Sequence, residues 1–98
     1  MDEKKKGEIS VEISRDIEGG VYVNQAIIAH SQKEFVIDLG VTLPGNKIKI
    51  QSRIITNPID AKAIMLALKD NIEKYEQRYG IVDLSKAKDS TSYQHQIH

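Results

Sequence analysis

Residues 34–56 read EFVIDLGVTLPGNKIKIQSRIIT, and the fold turns on this stretch. Phe35, Ile37, Leu39, Val41 and Leu43 recur at every second position, the period of a strand with one buried face. Pro44-Gly45 then suits the second and third positions of a type II turn. Asn46 to Thr56 returns as a second strand, with Ile48, Ile50, Ser52 and Ile54 on one face. Lys47, Lys49, Gln51 and Arg53 take the other face, until Ile55 interrupts the alternation. The stretch predicts a β-hairpin, and the rest of the chain is read around it.

Upstream, Val21 to His30 predicts another strand. Val21, Val23, Ile27 and Ala29 face one way, and Tyr22, Asn24, Ala26, Ile28 and His30 the other. Both faces are partly apolar, so this strand expects cover on both sides. Before the break at Gly19-Gly20, Ile9, Val11 and Ile13 alternate with polar residues and predict the first strand. Downstream, Asn57 is a good N-cap, Pro58 suits the first helical position and Asp60 the positive end of the helix dipole. Gly80 ends the helix. Ala61, Ile64, Met65, Leu68, Ile72, Tyr75 and Tyr79 form one stripe, expected to lie on the sheet. Asp70 and Lys74 are spaced as an ion pair on the wet side. The fold class is therefore α+β: a four-stranded antiparallel β-sheet followed by one long C-terminal α-helix. Residues 1–7 read as a flexible arm, 8–82 as a single domain and 83–98 as a disordered polar tail.

Ile59, Ala63, Leu66 and Ala67 make a second apolar patch opposite the main helix stripe. Four strands at ~4.8 Å spacing span roughly 19 Å, while a helix is about 10 Å across. One helix leaves much of the sheet uncovered, and its own second patch needs a partner. A homodimer supplies both, with Ile59, Ala63, Leu66 and Ala67 as the interface.

Composition removes several function classes. The 98 residues carry 14 Lys+Arg and 14 Asp+Glu, so the chain is not a generally basic nucleic-acid binder. There is no Cys, hence no disulfide scaffold, thiolate zinc site or thiol nucleophile. No apolar run approaches the ~20 residues that span a bilayer, and no signal-peptide core follows Lys4 to Lys6. A cytoplasmic protein without membrane contact is expected.

From Val21 to Gly80 the chain resembles a small bacterial family catalogued as domain of unknown function 3467. The resemblance rests on Val21, Tyr22 and Asn24; His30-Ser31; Glu34-Phe35-Val36-Ile37-Asp38; Pro44-Gly45; and Ser52-Arg53-Ile54-Ile55. In the helix it rests on Pro58, Ala61-Lys62, Ala67-Leu68, Asn71-Ile72 and Lys74-Tyr75-Glu76. The family usually has a basic residue after the Ala-Lys pair, where Ala63 stands here. The resemblance implies a compact strand-rich domain with a C-terminal helix, and no activity.

Few residues suggest chemistry. His30, Ser31 and Asp38 supply the types of a nucleophilic triad, but adjacent strand residues point to opposite faces. The reading is a polar pairing of His30 with Asp38 across the hairpin, within a candidate small-ligand site of Asn24, His30, Asp38 and Arg53. Lys47, Lys49 and Arg53 form a basic stripe that could track a single-stranded phosphate backbone, with Tyr22 stacking on a base. Glu8 and Glu12 offer that stripe counter-charges. His95 and His98 lack a third ligand, so no metal is expected, and no cofactor. Gly19-Gly20 opens no helix and is not a phosphate loop. The sequence predicts a non-enzymatic interaction or structural module, with an unidentified protein partner besides its own copy. Single-stranded nucleic-acid binding is the alternative.

Overall fold

A computed structural model of the chain describes residues 7–86 and 95–97. Its elements are a one-turn helix α1 (Arg15–Glu18), strands β1 (Gln25–His30), β2 (Phe35–Leu43) and β3 (Lys47–Thr56), and the long helix α2 (Pro58–Tyr79). A 3-10 turn, Leu84–Lys86, and a short strand β4 (His95–Ile97) follow. The protein is α+β, with a three-stranded antiparallel sheet ordered β3-β2-β1 and then the helix. β4 runs parallel beside β1.

The hairpin forms where the sequence places it. Leu43 pairs with Lys47 across Pro44, Gly45 and Asn46. Gly45 at φ 84° takes the left-handed position that a type II turn requires, and Asn46 follows at φ 57°. α2 is capped as its sequence predicts. Asn57 Oδ1 accepts from the Asp60 amide at 2.8 Å, and the Gly80 amide donates to the Glu76 carbonyl at 2.9 Å. Asp70 and Lys74 pair at 3.0 Å.

Three expectations are corrected. First, residues 8–14 form no strand, so the fourth antiparallel strand is absent. Ile9 and Val11 are 87% exposed, and Ser14 begins α1 instead. Alternation alone does not make a strand, because the ladder needs a neighbour to satisfy its amides. Second, β1 is shorter than expected. It starts at Gln25, and Val21 and Tyr22 are exposed before it.

Third, the main stripe of α2 does not lie on the sheet. No residue of α2 is buried, and Ile64, Met65, Leu68, Ile72, Tyr75 and Tyr79 are all exposed. Only Asn57 separates β3 from α2, which leaves little chain to fold the helix back.

The expected arm, residues 1–7, lies outside the described residues except for Gly7. Within the expected tail, Asp83 accepts from the Ser85 amide and hydroxyl at 2.9 and 2.6 Å, starting the 3-10 turn. Residues 87–94 and 98 lie outside the described residues, and with them the pairing of His95 with His98.

The described residues contain no buried apolar side chain; only Gln25 and Gly40 are buried. The accessible surface is 9105 Å² for an 11.0 kDa chain. A folded monomer of that mass exposes about 5,600 Å². The radius of gyration, 16.9 Å, also exceeds the roughly 13 Å of a compact chain of this length.

Candidate interaction surface

Strand register decides which side chains share a face, because directly opposed residues project to the same side. Ile37 opposes Ile28 and Ile54, and Leu39 opposes Ala26 and Ser52. Ala26, Ile28, Phe35, Ile37 and Leu39 make a half-buried apolar face, with Ser52 and the exposed Ile54 beside them. Asp38 opposes Ile27 and Arg53, and Val36 opposes Ala29 and Ile55, on the other.

The register then shifts between Leu39 and Gly40, where β3 bulges and Gln51 is left without an opposite residue. Gly40 makes the bulge possible. A Cβ there would collide with the Lys49 carbonyl oxygen, and would lie 2.9 Å from its carbon and 3.0 Å from Ile50 Cα.

The bulge reassigns faces along β3. Ile48 and Ile50 oppose Thr42 and Gly40, on the side of Asp38 and Arg53. Lys47 and Lys49 oppose Leu43 and Val41, on the side of Ile37. The expected stripe is thus divided: Lys47 and Lys49 share one face, and Arg53 stands on the other.

Arg53 is also engaged. Its Nε donates to Asp38 Oδ1 at 2.7 Å and its second nitrogen to Oδ2 at 2.9 Å, a bidentate fork. Those hydrogen bonds hold the Asp38 carboxyl below its ordinary pKa and raise that of Arg53. Asp38 is 14% exposed, while Arg53 is 63% exposed. Glu8 and Glu12 belong to no strand, so no acidic stripe lies along the sheet. Lys47 and Lys49 are exposed and, among the described residues, enter no ion pair. Tyr22 is 77% exposed.

The candidate polar site is not assembled. His30 opposes Phe35, and their rings stack with centroids 5.4 Å apart. Asp38 opposes Ile27 and projects from the face opposite to His30, so the expected His30–Asp38 pair does not form. Asn24 sits at the far end of β1, where its Oδ1 accepts from the Thr42 amide at 3.1 Å. Ser31 shapes the β1–β2 turn: its hydroxyl accepts from the amides of Lys33 and Glu34 at 3.3 and 3.2 Å. The sequence reading missed Gln25. It is 5% exposed, and its Nε2 donates to Thr42 Oγ1 at 3.1 Å. Its buried Oε1 has no hydrogen-bond partner among the described residues.

α2 carries many uncovered apolar side chains. Ile59 is 81% exposed and Leu66 50%, on the patch that also holds Ala63 and Ala67. The main stripe opposite is equally open. Along it runs a shallow groove of about 410 Å³, lined by Met65, Leu68, Lys69, Ile72, Glu73 and Glu76, all from this one helix. Among the described residues, no group of three His, Cys, Asp or Glu is placed to hold a metal ion. No described helix is long and apolar enough to cross a membrane.

Hairpin, capped helix and motif residues fall in one continuous block, and a family model covers it. The model, described as a protein of unknown function (DUF3467), matches residues 1–84. The chain belongs to the DUF3467 family. No curated protein and no solved structure matches it. Within this DUF3467 chain, the matched residues include the whole antiparallel sheet and all of α2, so the uncovered helix lies inside the family's own domain.

Proposed function

We propose that this DUF3467 chain is a non-enzymatic interaction or structural module of the cytoplasm that works as a homodimer. The observation that carries the reading is the absence of any buried apolar side chain among the described residues. Stability comes chiefly from removing apolar surface from water, at about 25 cal/mol per Å². A sheet that is half-apolar on both faces, beside an uncovered helix, needs a second body to supply that burial. A standard interface takes about 800 Å² from each partner, and the exposed apolar residues of α2 offer a continuous surface for one.

A second copy is always available at matching concentration and closes the contact by symmetry. Ile59, Ala63, Leu66 and Ala67 belong to that contact in this reading. Leu66→Glu tests it by light scattering: a monomer or a poorly soluble chain is expected, and an unchanged dimer removes Leu66 from the interface. A pull-down scored for protein and nucleic acid together then identifies what the module binds.

Exposed Lys47 and Lys49 on one face, with exposed Tyr22, favour single-stranded nucleic-acid binding as the second reading. Each phosphate neutralised on a single strand contributes about −0.7 to the slope of log affinity against log salt. We expect no measurable oligonucleotide affinity at low salt. Binding that weakens steeply with salt, and is lost in Lys47→Gln/Lys49→Gln, replaces the first reading with the second.

A further inference from the structure

We propose that α2 pairs antiparallel with α2 of a second copy, along a seam of Ala61, Met65, Leu68, Ile72, Tyr75 and Tyr79. The inference rests on the homodimer reading but moves its helix-to-helix contact from the patch of Ile59, Ala63, Leu66 and Ala67 to the opposite stripe, and adds the register and the direction. The seam residues are spaced four, three, four, three and four apart, the heptad repeat that a facing helix reads. Among the described residues, no residue of α2 is buried, and the groove along the seam is lined by α2 alone.

Side-chain size sets the direction. A parallel pair stacks each residue on its own copy, leaving Ala61 against Ala61 at one end and Tyr79 against Tyr79 at the other. An antiparallel pair, with its two-fold axis at residue 70, opposes Ala61 to Tyr79, Met65 to Tyr75, and Leu68 to Ile72. Small then meets large in the outer layers, and two aliphatic residues of similar volume meet at the centre, which fills space evenly. Tyr75 and Tyr79 are already packed together in the free helix, with centroids 4.9 Å apart, and the Arg78 guanidinium lies 5.3 Å over the Tyr79 ring.

Charge agrees. Lys62 and Glu76 flank the seam at positions that oppose each other in the antiparallel pair, so the contact occurs twice by symmetry. Glu76 Oε2 accepts from the Val82 amide at 2.9 Å, which fixes the carboxylate and leaves Oε1 for an ammonium. The helix dipoles also oppose favourably in this direction. Lys69 meets its own copy near the axis. That is the one like-charge contact, at a rim position where a long side chain reaches water.

The chain has no Cys, so single-cysteine variants report positions directly. In the antiparallel pair the two copies of residue 79 lie about 27 Å apart along the axis, from a rise of 1.5 Å per residue. The two copies of residue 69 lie beside each other. A short bismaleimide is therefore expected to join Lys69→Cys into a covalent dimer and to leave Tyr79→Cys uncoupled, with helix content checked by circular dichroism. Coupling of Tyr79→Cys to itself overturns the direction. Failure of both variants to couple, while light scattering still reports a dimer, overturns the helix pairing and leaves the homodimer standing. A folded monomer by light scattering overturns both.

Discussion

Gly40→Ala probes the register on which the assignment of faces depends. The added methyl collides with the Lys49 carbonyl oxygen, and its other close neighbours, at 2.9 and 3.0 Å, are also backbone atoms. A flexible side chain could swing away from such a contact, but a carbonyl inside a ladder moves only if the ladder moves. Inserting a methyl group into a well-packed site costs typically 1–3 kcal/mol, and a purely backbone neighbour places Gly40→Ala in the upper part of that range. For a domain of this size each kcal/mol lowers Tm by roughly 4–8 °C, so a drop of about 8–20 °C is expected. The assay is thermal unfolding by circular dichroism, with both proteins at one concentration because a dimer's Tm depends on it. Gly19→Ala is the control. Gly19 has φ −71° and open space where a Cβ would stand, so Tm should hold or rise slightly. Equal stability of Gly40→Ala and wild type would refute the bulge, and with it the separation of Arg53 from Lys47 and Lys49.

Two further outcomes are expected. Because the folded state lowers the pKa of Asp38, its pairing with Arg53 contributes stability above the ordinary carboxylate range and loses it as pH falls through the lowered value. The stability gap between wild type and Arg53→Gln in urea should therefore be full at neutral pH and close in acid; a gap independent of pH would contradict the ion pair. Asn57→Ala removes the cap on the Asp60 amide and should cost about 1 kcal/mol, seen as a lower urea midpoint, while an unchanged midpoint would mean that the cap contributes nothing.

What could be read from sequence was local. Pro44-Gly45 fixed the hairpin, and Asn57, Pro58 and Gly80 fixed the helix ends, because turn and cap chemistry act over three or four residues. Ile9, Val11 and Ile13 misled because alternation states a preference for a face and does not supply a neighbouring strand. The bulge shows in sequence only as Gly40 inside a strand and the Ile54-Ile55 doublet, two weak marks of a shifted ladder. Once the register shifts by one residue, every later side chain of β3 changes face, which splits the basic stripe. The His30–Asp38 pair fails separately, because the regular β1–β2 ladder sets His30 opposite Phe35. The stripe on α2 was legible, but its partner was not. Ala61 to Tyr79 announces an apolar contact, and an apolar stripe does not say whether a sheet or another helix covers it.

In the homodimer reading, one chain does not complete its own fold. Sedimentation equilibrium of the wild-type protein, followed from high to low micromolar concentration, tests this most directly. A species of twice the 11.0 kDa chain mass is expected, with loss of cooperative unfolding wherever dilution separates the copies. A single 11.0 kDa species that unfolds cooperatively at every concentration would contradict it.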